Sequence, residues 1–255
     1  MKAKYRLLAL DMDGTLLNDE QIITPKTVEW IQKAVDAGVH VCLSTGRAFT
    51  SAYPYAQQLG LETPMITVNG SEVWRAPHEI YRRSLMDPKL VEEMYELAKA
   101  DDIWFWVYSL DKVYNKNNWD GNITGREWLK FGYYTEDDEI RHKLLLRLQD
   151  MGGLEITNSS PYNLEINPQG VNKAAGIKEV CKLLGLDMSQ VVAAGDSLND
   201  LAAIQQAGLG VAMGNAQETV KEEADVVVAS NNDDGIAEII QKYILTEAAT
   251  SAKSV

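Results

Sequence analysis

The chain has 255 residues, of which 45% are hydrophobic and 24% charged, with a formal net charge of −13. That length suits one large domain or a domain with an insertion, and no apolar run reaches the roughly 18 residues of a membrane span. The acidic charge and scattered Lys and Arg exclude a nucleic-acid partner, and Cys42 and Cys181, with no CxxC pair or disulfide framework, fit reduced thiols in a cytoplasmic protein.

The opening MKAKYRLLAL has a basic flank and a short apolar run, but Asp11 ends the run before any cleavage-site pattern, so a first strand is expected rather than a signal peptide. Further short apolar runs end in small or polar residues: VHVCLSTGR to Arg47, MITVNG to Gly70, VVAAGD to Asp196 and GLGVAMGN to Asn215. Such runs predict parallel strands buried on both faces. Helices are expected between them. Pro25–Ala37 has Thr24 as N-cap and Gly38 beyond its end, and Lys173–Leu184 has Asn172 and Gly185 in the same places. Pro54 leaves the extent of the helix after Arg47 open. Strands alternating with helices predict an α/β sheet whose ligand sits beyond the carboxyl ends of the strands, where each polar cluster falls.

From Ser84 to Glu165 the pattern changes. DIWFWVYSL alternates with period two, four of the six tryptophans gather here, and helices are expected at Pro88–Ala100 and Asp137–Met151. A small mixed α/β domain, residues 84–165, is expected as an insertion into a core made of residues 1–83 and 166–255. In a strand over Ile103–Tyr108, Ile103, Phe105 and Val107 would pack on the cap helices. Trp104, Trp106 and Tyr108 would then roof the site and touch the organic part of a substrate, or else form the cap's own core or a dimer contact. The tail Thr246–Val255 is expected to be disordered.

Four clusters carry the chemistry. In DMDGT, Asp11 and Asp13 stand two apart at the end of a strand, and two carboxylates in one corner cost stability unless a cation, usually a metal, lies between them. A surface Asp-Gly turn is the plainer account. Ser44, Thr45, Gly46 and Arg47 suit a phosphate at a helix start, and equally an ordinary N-cap. Lys173 stands at a helix start, where a cation is unfavourable without a nearby anion. In GDSLND, Asp196, Asn199 and Asp200 can reach one pocket. No P-loop or dinucleotide fingerprint is present, so ATP and NAD have no support, and His40, His78 and His142 lack metal-ligand spacing.

In this order the four clusters resemble the haloacid dehalogenase-like hydrolase superfamily and, within it, the Cof-type phosphatases. The resemblance spans the chain to about Leu245, with the cap lying between the second and third motifs. It implies a Rossmann-like parallel-sheet core with an inserted mixed α/β cap whose strand count stays open. It also implies hydrolysis of a small-molecule phosphate ester, while the charge and hydropathy already argue against a nucleic-acid or membrane partner and the oligomeric state stays open. Asp11 would form an aspartyl-phosphate that water hydrolyses, and Asp13 would serve as acid and then base. Mg²⁺ would be held by the Asp11 carboxylate, the Asp13 carbonyl and Asp196. Met12, Thr45, the Gly46 amide, Lys173 and Asn199 would contact phosphoryl oxygens, with Asp200 supporting the metal shell or Lys173. Sugar phosphates, nucleotides, pyridoxal phosphate and phosphorylated riboflavin precursors all fit the family. Alternatives are a phosphomutase or phosphotransferase of the same superfamily and a non-enzymatic phospho-aspartate switch.

Overall fold

The computed structural model describes residues 4–245, so the expected disorder from Thr246 onward lies outside the described residues. The apolar run Leu7–Leu10 forms β1, buried at every position. Helix α1 (Pro25–Asp36) starts as its sequence dictates: Thr24 Oγ1 accepts from the Thr27 amide, and Pro25 occupies the first turn, where no N–H is needed. Strand β2 (His40–Leu43) and helix α2 (Phe49–Gln58) follow, with Pro54 inside α2.

Strands β3 (Met65–Thr67), β4 (Glu72–Ala76) and β5 (Glu79–Arg83) form a small antiparallel sheet. A parallel bridge between Ser44 and Ile66 ties it to the end of β2. MITVNG is therefore a strand for three residues only, because Val68 and Asn69 take φ of 52° and 56° and turn the chain.

Helix α3 (Pro88–Ala100) opens the cap, followed by β6 (Trp104–Ser109), β7 (Val113–Asn115), β8 (Trp128–Tyr134), α4 (Asp138–Met151), β9 (Leu154–Thr157) and β10 (Asn163–Pro168). The five strands pair antiparallel in the order β7-β6-β8-β10-β9. Both helices cover one face. Ile103, Phe105 and Val107 are buried there with Val91, Met94, Leu144 and Leu148, while Trp104, Trp106 and Tyr108 alternate onto the other face. Each large side chain so buried contributes about 1.5–3 kcal/mol. Trp119 and Trp128 belong to this core. Strand β10 crosses the expected boundary at residues 165 and 166 and stays in the cap sheet to Pro168.

Helix α5 (Lys173–Leu184) is capped by Asn172, whose Oδ1 accepts from the Ala175 amide, and ends at Gly185 in the left-handed region. Then come β11 (Val191–Gly195), α6 (Leu198–Gln206), β12 (Leu209–Ala212), α7 (Glu218–Glu223), β13 (Val226–Val227) and α8 (Gly235–Ile239), which runs on as a π-helical turn to Ile244. The core sheet is parallel in the order β13-β12-β11-β1-β2. Residues of α1, α2 and α8 pack on one face through Ile31, Ala52 and Ile236, and those of α5 and α6 on the other through Ile177, Val180 and Ala203. Both cysteines are free and buried on this second side. The chain leaves β1 toward β2 on one flank and returns through β11 on the other, so the cleft opens above β1. Among the described residues no helix is long and apolar enough to cross a membrane.

Candidate active site

Strand geometry ends at Leu10, and the loop after it separates the two aspartates. Asp11, whose amide donates to the Ala194 carbonyl at 3.1 Å, turns its carboxylate inward and is 6% exposed. Asp13 turns outward: its half-exposed carboxylate accepts from Arg47 Nε at 2.8 Å. The two aspartates of DMDGT thus stand in different surroundings, Asp11 buried and Asp13 half-exposed beside Arg47. Period two holds only while the backbone is extended, and Gly14 at φ 75° closes the turn. The Met12 side chain is fully buried in the core, so only its backbone remains open to a ligand.

Lys173, 1% exposed, joins the sheet-end clusters. Its Nζ donates to Asp11 Oδ1 at 2.6 Å and to Asp200 Oδ1 at 2.7 Å. Burial works against its charge, but the two carboxylates hold its pKa above the ordinary lysine value. The other Asp200 oxygen accepts from the amides of Asp196 and Ser197 at 3.1 and 3.2 Å, which locks the start of α6. Asp196 in turn accepts from Thr15 Oγ1 at 3.1 Å and Ser197 Oγ at 2.8 Å.

Asp11, Asp196 and Asp200 each present a carboxylate oxygen within 4.8 Å of the others. Three carboxylates against the single Lys173 ammonium leave two negative charges in a buried corner. Burial pushes Asp11 well above the ordinary carboxylate range; Lys173 pulls it back, and Asp200 and Asp196 raise it further. Burial, with Asp200 adding to it, pushes Asp196 up to about 6. An all-oxygen donor set with a two-charge deficit fits a hard divalent cation such as Mg²⁺, which offsets the repulsion that raises both groups.

Thr45 is fully buried, and its Oγ1 accepts from the Arg47 amide at 3.1 Å. Gly46 follows it, with no acceptor for its N–H among the described residues. Asn199, 5% exposed, has no partner for Oδ1 among the described residues, while its Nδ2 lies 3.5 Å from Glu165 of the cap. The clusters thus converge on the carboxyl ends of β1, β2 and β11.

Trp106 and Tyr108 lie on the cap face turned to this site. Tyr108 is covered by Lys130 Nζ at 4.7 Å from its ring centroid, and the same Nζ donates to the Gly46 carbonyl at 2.8 Å. Trp104, on the same face, is 38% exposed.

Sequence reasoning missed Asn69, Lys130 and Glu165 as parts of the site, and it named Arg47 and Thr15 in their motifs without the bonds they make to Asp13 and Asp196. A signal existed for Lys130 and Glu165: each is a charge inside a buried strand, WLKFGYY and NLEINP, and such charges persist only when paired. Arg47 closes the STGR run, yet its bond to Asp13 across 34 residues has no local signature.

The chain matches the family model of the haloacid dehalogenase-like hydrolases over residues 8–148 and 116–240. It is 46% identical over 240 residues to the 5-amino-6-(5-phospho-D-ribitylamino)uracil phosphatase YcsE of Bacillus subtilis (strain 168), covering 94% of this chain and 96% of that one. It is 29% identical to the pyridoxal phosphate phosphatase YbhA of Escherichia coli (strain K12), covering 94% and 99%. A solved haloacid dehalogenase-like hydrolase from B. subtilis has the same fold, with TM-score 0.86, 22% identity and coverage of 94% and 100%. Matched over nearly its whole length in sequence and in fold, the chain belongs to the haloacid dehalogenase-like hydrolase family and is a phosphatase of its Cof type.

Proposed function

We propose that this phosphatase hydrolyses 5-amino-6-(5-phospho-D-ribitylamino)uracil in the cytoplasm, through an aspartyl-phosphate on Asp11. The observation that carries the substrate is the 46% identity over 94% of the chain to a phosphatase of that name. An Asp11 oxygen forms the bond to phosphorus while the ester oxygen leaves with a proton from Asp13; water, giving its proton back to Asp13, then releases phosphate. Arg47 orients the Asp13 carboxyl for this exchange. Lys173, the Gly46 amide, the Met12 amide, Thr45 and Asn199 face the phosphoryl oxygens, and Asp200 positions Lys173. Asp11, Asp196 and the Asp13 carbonyl are the groups to hold Mg²⁺, which when bound supplies Lewis-acid charge to those oxygens. In this division residues 1–83 and the chain after the cap sheet do the chemistry, and the cap selects the ester.

A panel of phosphate esters without any sugar acceptor tests the reading by phosphate release. The highest kcat/KM is expected for the ribitylaminouracil phosphate. A pyridoxal or sugar phosphate preferred by about tenfold or more would overturn the substrate, and no release without an acceptor would overturn hydrolysis.

The cap face supplies a platform for the uracil ring. Trp106 pairs with Gly132 across β6 and β8, and a Cβ at Gly132 would stand 2.2 Å from Trp106 Cε2, so the missing side chain lets the indole lie flat on the sheet. Stacking a base on an aromatic ring contributes about 1–3 kcal/mol, so Trp106→Ala should lower kcat/KM for the ribitylaminouracil phosphate roughly 5- to 100-fold. Acetyl phosphate has no ring to stack and should be hydrolysed nearly as before. Were both activities to fall together with thermal stability, Trp106 would be packing and not platform.

Metal and phosphate ligands should separate kinetically. Asp196→Ala should raise the Mg²⁺ concentration for half-maximal activity by about tenfold or more, with activity recovering as Mg²⁺ is added. An unchanged Mg²⁺ titration would remove Asp196 from the metal site.

A further inference from the structure

Three consecutive residues, Val68, Asn69 and Gly70, have φ of 52°, 56° and 97°. A β-branched residue in that region is costly, and such a conformation persists only where its surroundings hold it. Here they hold it from three sides. The Val68 and Asn69 amides donate to the carbonyls of Arg47 and Thr45 at 2.9 and 3.0 Å. From the cap, Asn167 Nδ2 donates to the Val68 carbonyl at 3.0 Å, and Glu165 Oε2 accepts from Asn69 Nδ2 at 2.6 Å. Gly70 presses on the start of α5, where a Cβ would lie 2.4 Å from the Asn172 carbonyl oxygen, one residue before Lys173.

The consequence falls on Gly46. The Ser44 amide donates toward β1, to Leu10, and the Thr45 amide toward β3, to Ile66. In a trans peptide C=O and N–H point oppositely, and no peptide here is cis. Asn69, on the β3 side, holds the Thr45 carbonyl and so sends the Gly46 N–H to the β1 side, where Asp11 follows Leu10. Lys130 Nζ, bonded to Glu165 Oε1 at 3.1 Å, fixes the next carbonyl, that of Gly46. Lys130, Glu165, Asn69 and Asn167 are 1, 5, 2 and 1% exposed. A buried ion pair is weak evidence for stability, and it is best attested where it fixes one arrangement.

We propose that the Val68–Gly70 turn, clamped by Glu165, Asn167 and Lys130, is a positioning device: it aims the Gly46 amide at the transferring phosphoryl group only while the cap is docked. This rests on the reading of Asp11 and Gly46 given above. The cap thereby acts on phosphoryl transfer itself as well as on the choice of ester. Removing its grip costs activity even for substrates too small to touch the cap.

Asn69→Gly tests this. It keeps the amide that holds Thr45, relieves the positive φ and removes the side-chain bonds from Asn69 Nδ2 to the cap, to Glu165 Oε2 at 2.6 Å and to Asn167 Oδ1 at 3.4 Å. The expected result is a kcat about 10- to 100-fold lower on acetyl phosphate and on the ribitylaminouracil phosphate alike, with KM within about twofold. Inhibition by orthovanadate, a mimic of the transferring group, should weaken in step, while the melting temperature falls only by the few degrees that losing a buried hydrogen bond costs. Lys130→Met should reproduce the kinetic loss with a lower melting temperature. Wild-type kcat and orthovanadate affinity in Asn69→Gly, or a loss confined to the larger ester, would overturn the proposal. Asp11→Asn run alongside separates the two readings: an active Asp11→Asn sinks the nucleophile, whereas an inactive one beside an unaffected Asn69→Gly sinks only the device.

Discussion

Asp11→Asn is expected to release no measurable phosphate from any ester. Phosphate-monoester hydrolysis is among the slowest uncatalysed reactions, with enzymatic accelerations up to about 10²¹-fold, so a site without its nucleophile has no visible background. A carboxamide still accepts from Lys173, which makes the change close to isosteric, and it removes a charge whose ionisation burial already opposes. The variant should therefore melt no lower than the parent without Mg²⁺, which separates lost chemistry from lost fold. Asp13→Asn should behave differently. A general acid contributes roughly 10²- to 10⁴-fold, and less when the leaving group departs without a proton. Asp13→Asn should thus keep more relative activity on p-nitrophenyl phosphate than on an alkyl phosphate. Release by Asp11→Asn within about a hundredfold of the parent would move the nucleophile elsewhere, and equal losses by Asp13→Asn on both esters would remove the acid role.

What the sequence made legible was local. Thr24 with Pro25 and Asn172 with Gly185 are signals completed within one helix, and α1 and α5 begin where those residues place them. The alternation in DIWFWVYSL likewise assigns Phe105 and Val107 to the cap core, because burial on one sheet face needs no distant information. The β4–β5 hairpin was not legible: every residue of EIYRR is exposed, so β5 carries no buried face to be read from its pattern. MITVNG reads as one strand because nothing in its pattern marks where Val68 changes hand, and its partners, Arg47 and Asn167, lie far along the chain. The same distinction divides the site. DMDGT and GDSLND announce their carboxylates, but the direction of Asp13 depends on Arg47, 34 residues away, and the environment of Asn199 depends on a cap strand 34 residues before it.

Lys173→Met carries the other large effect, because it tests whether one ammonium serves both stability and catalysis. The side chain is buried between Asp11 and Asp200 at 2.6 and 2.7 Å. Removing one partner of a buried charge pair typically costs about 3–5 kcal/mol, since the remaining carboxylates stay desolvated and unpaired. Mg²⁺ offsets the same carboxylates. The rise in melting temperature on adding Mg²⁺ should therefore be larger in Lys173→Met than in the parent. Catalysis should not recover with it. A fixed donor aimed at developing charge contributes about 10²- to 10³-fold, and Mg²⁺, which Asp11 and Asp196 would hold, would supply Lewis-acid charge but no N–H donor in place of the Lys173 ammonium. At saturating Mg²⁺, kcat should accordingly stay lower by about that factor, in contrast to Asp196→Ala, which Mg²⁺ rescues. If saturating Mg²⁺ restores both stability and kcat in Lys173→Met, the lysine only neutralises the metal site, and phosphoryl binding must be assigned to the Gly46 amide and Asn199 instead.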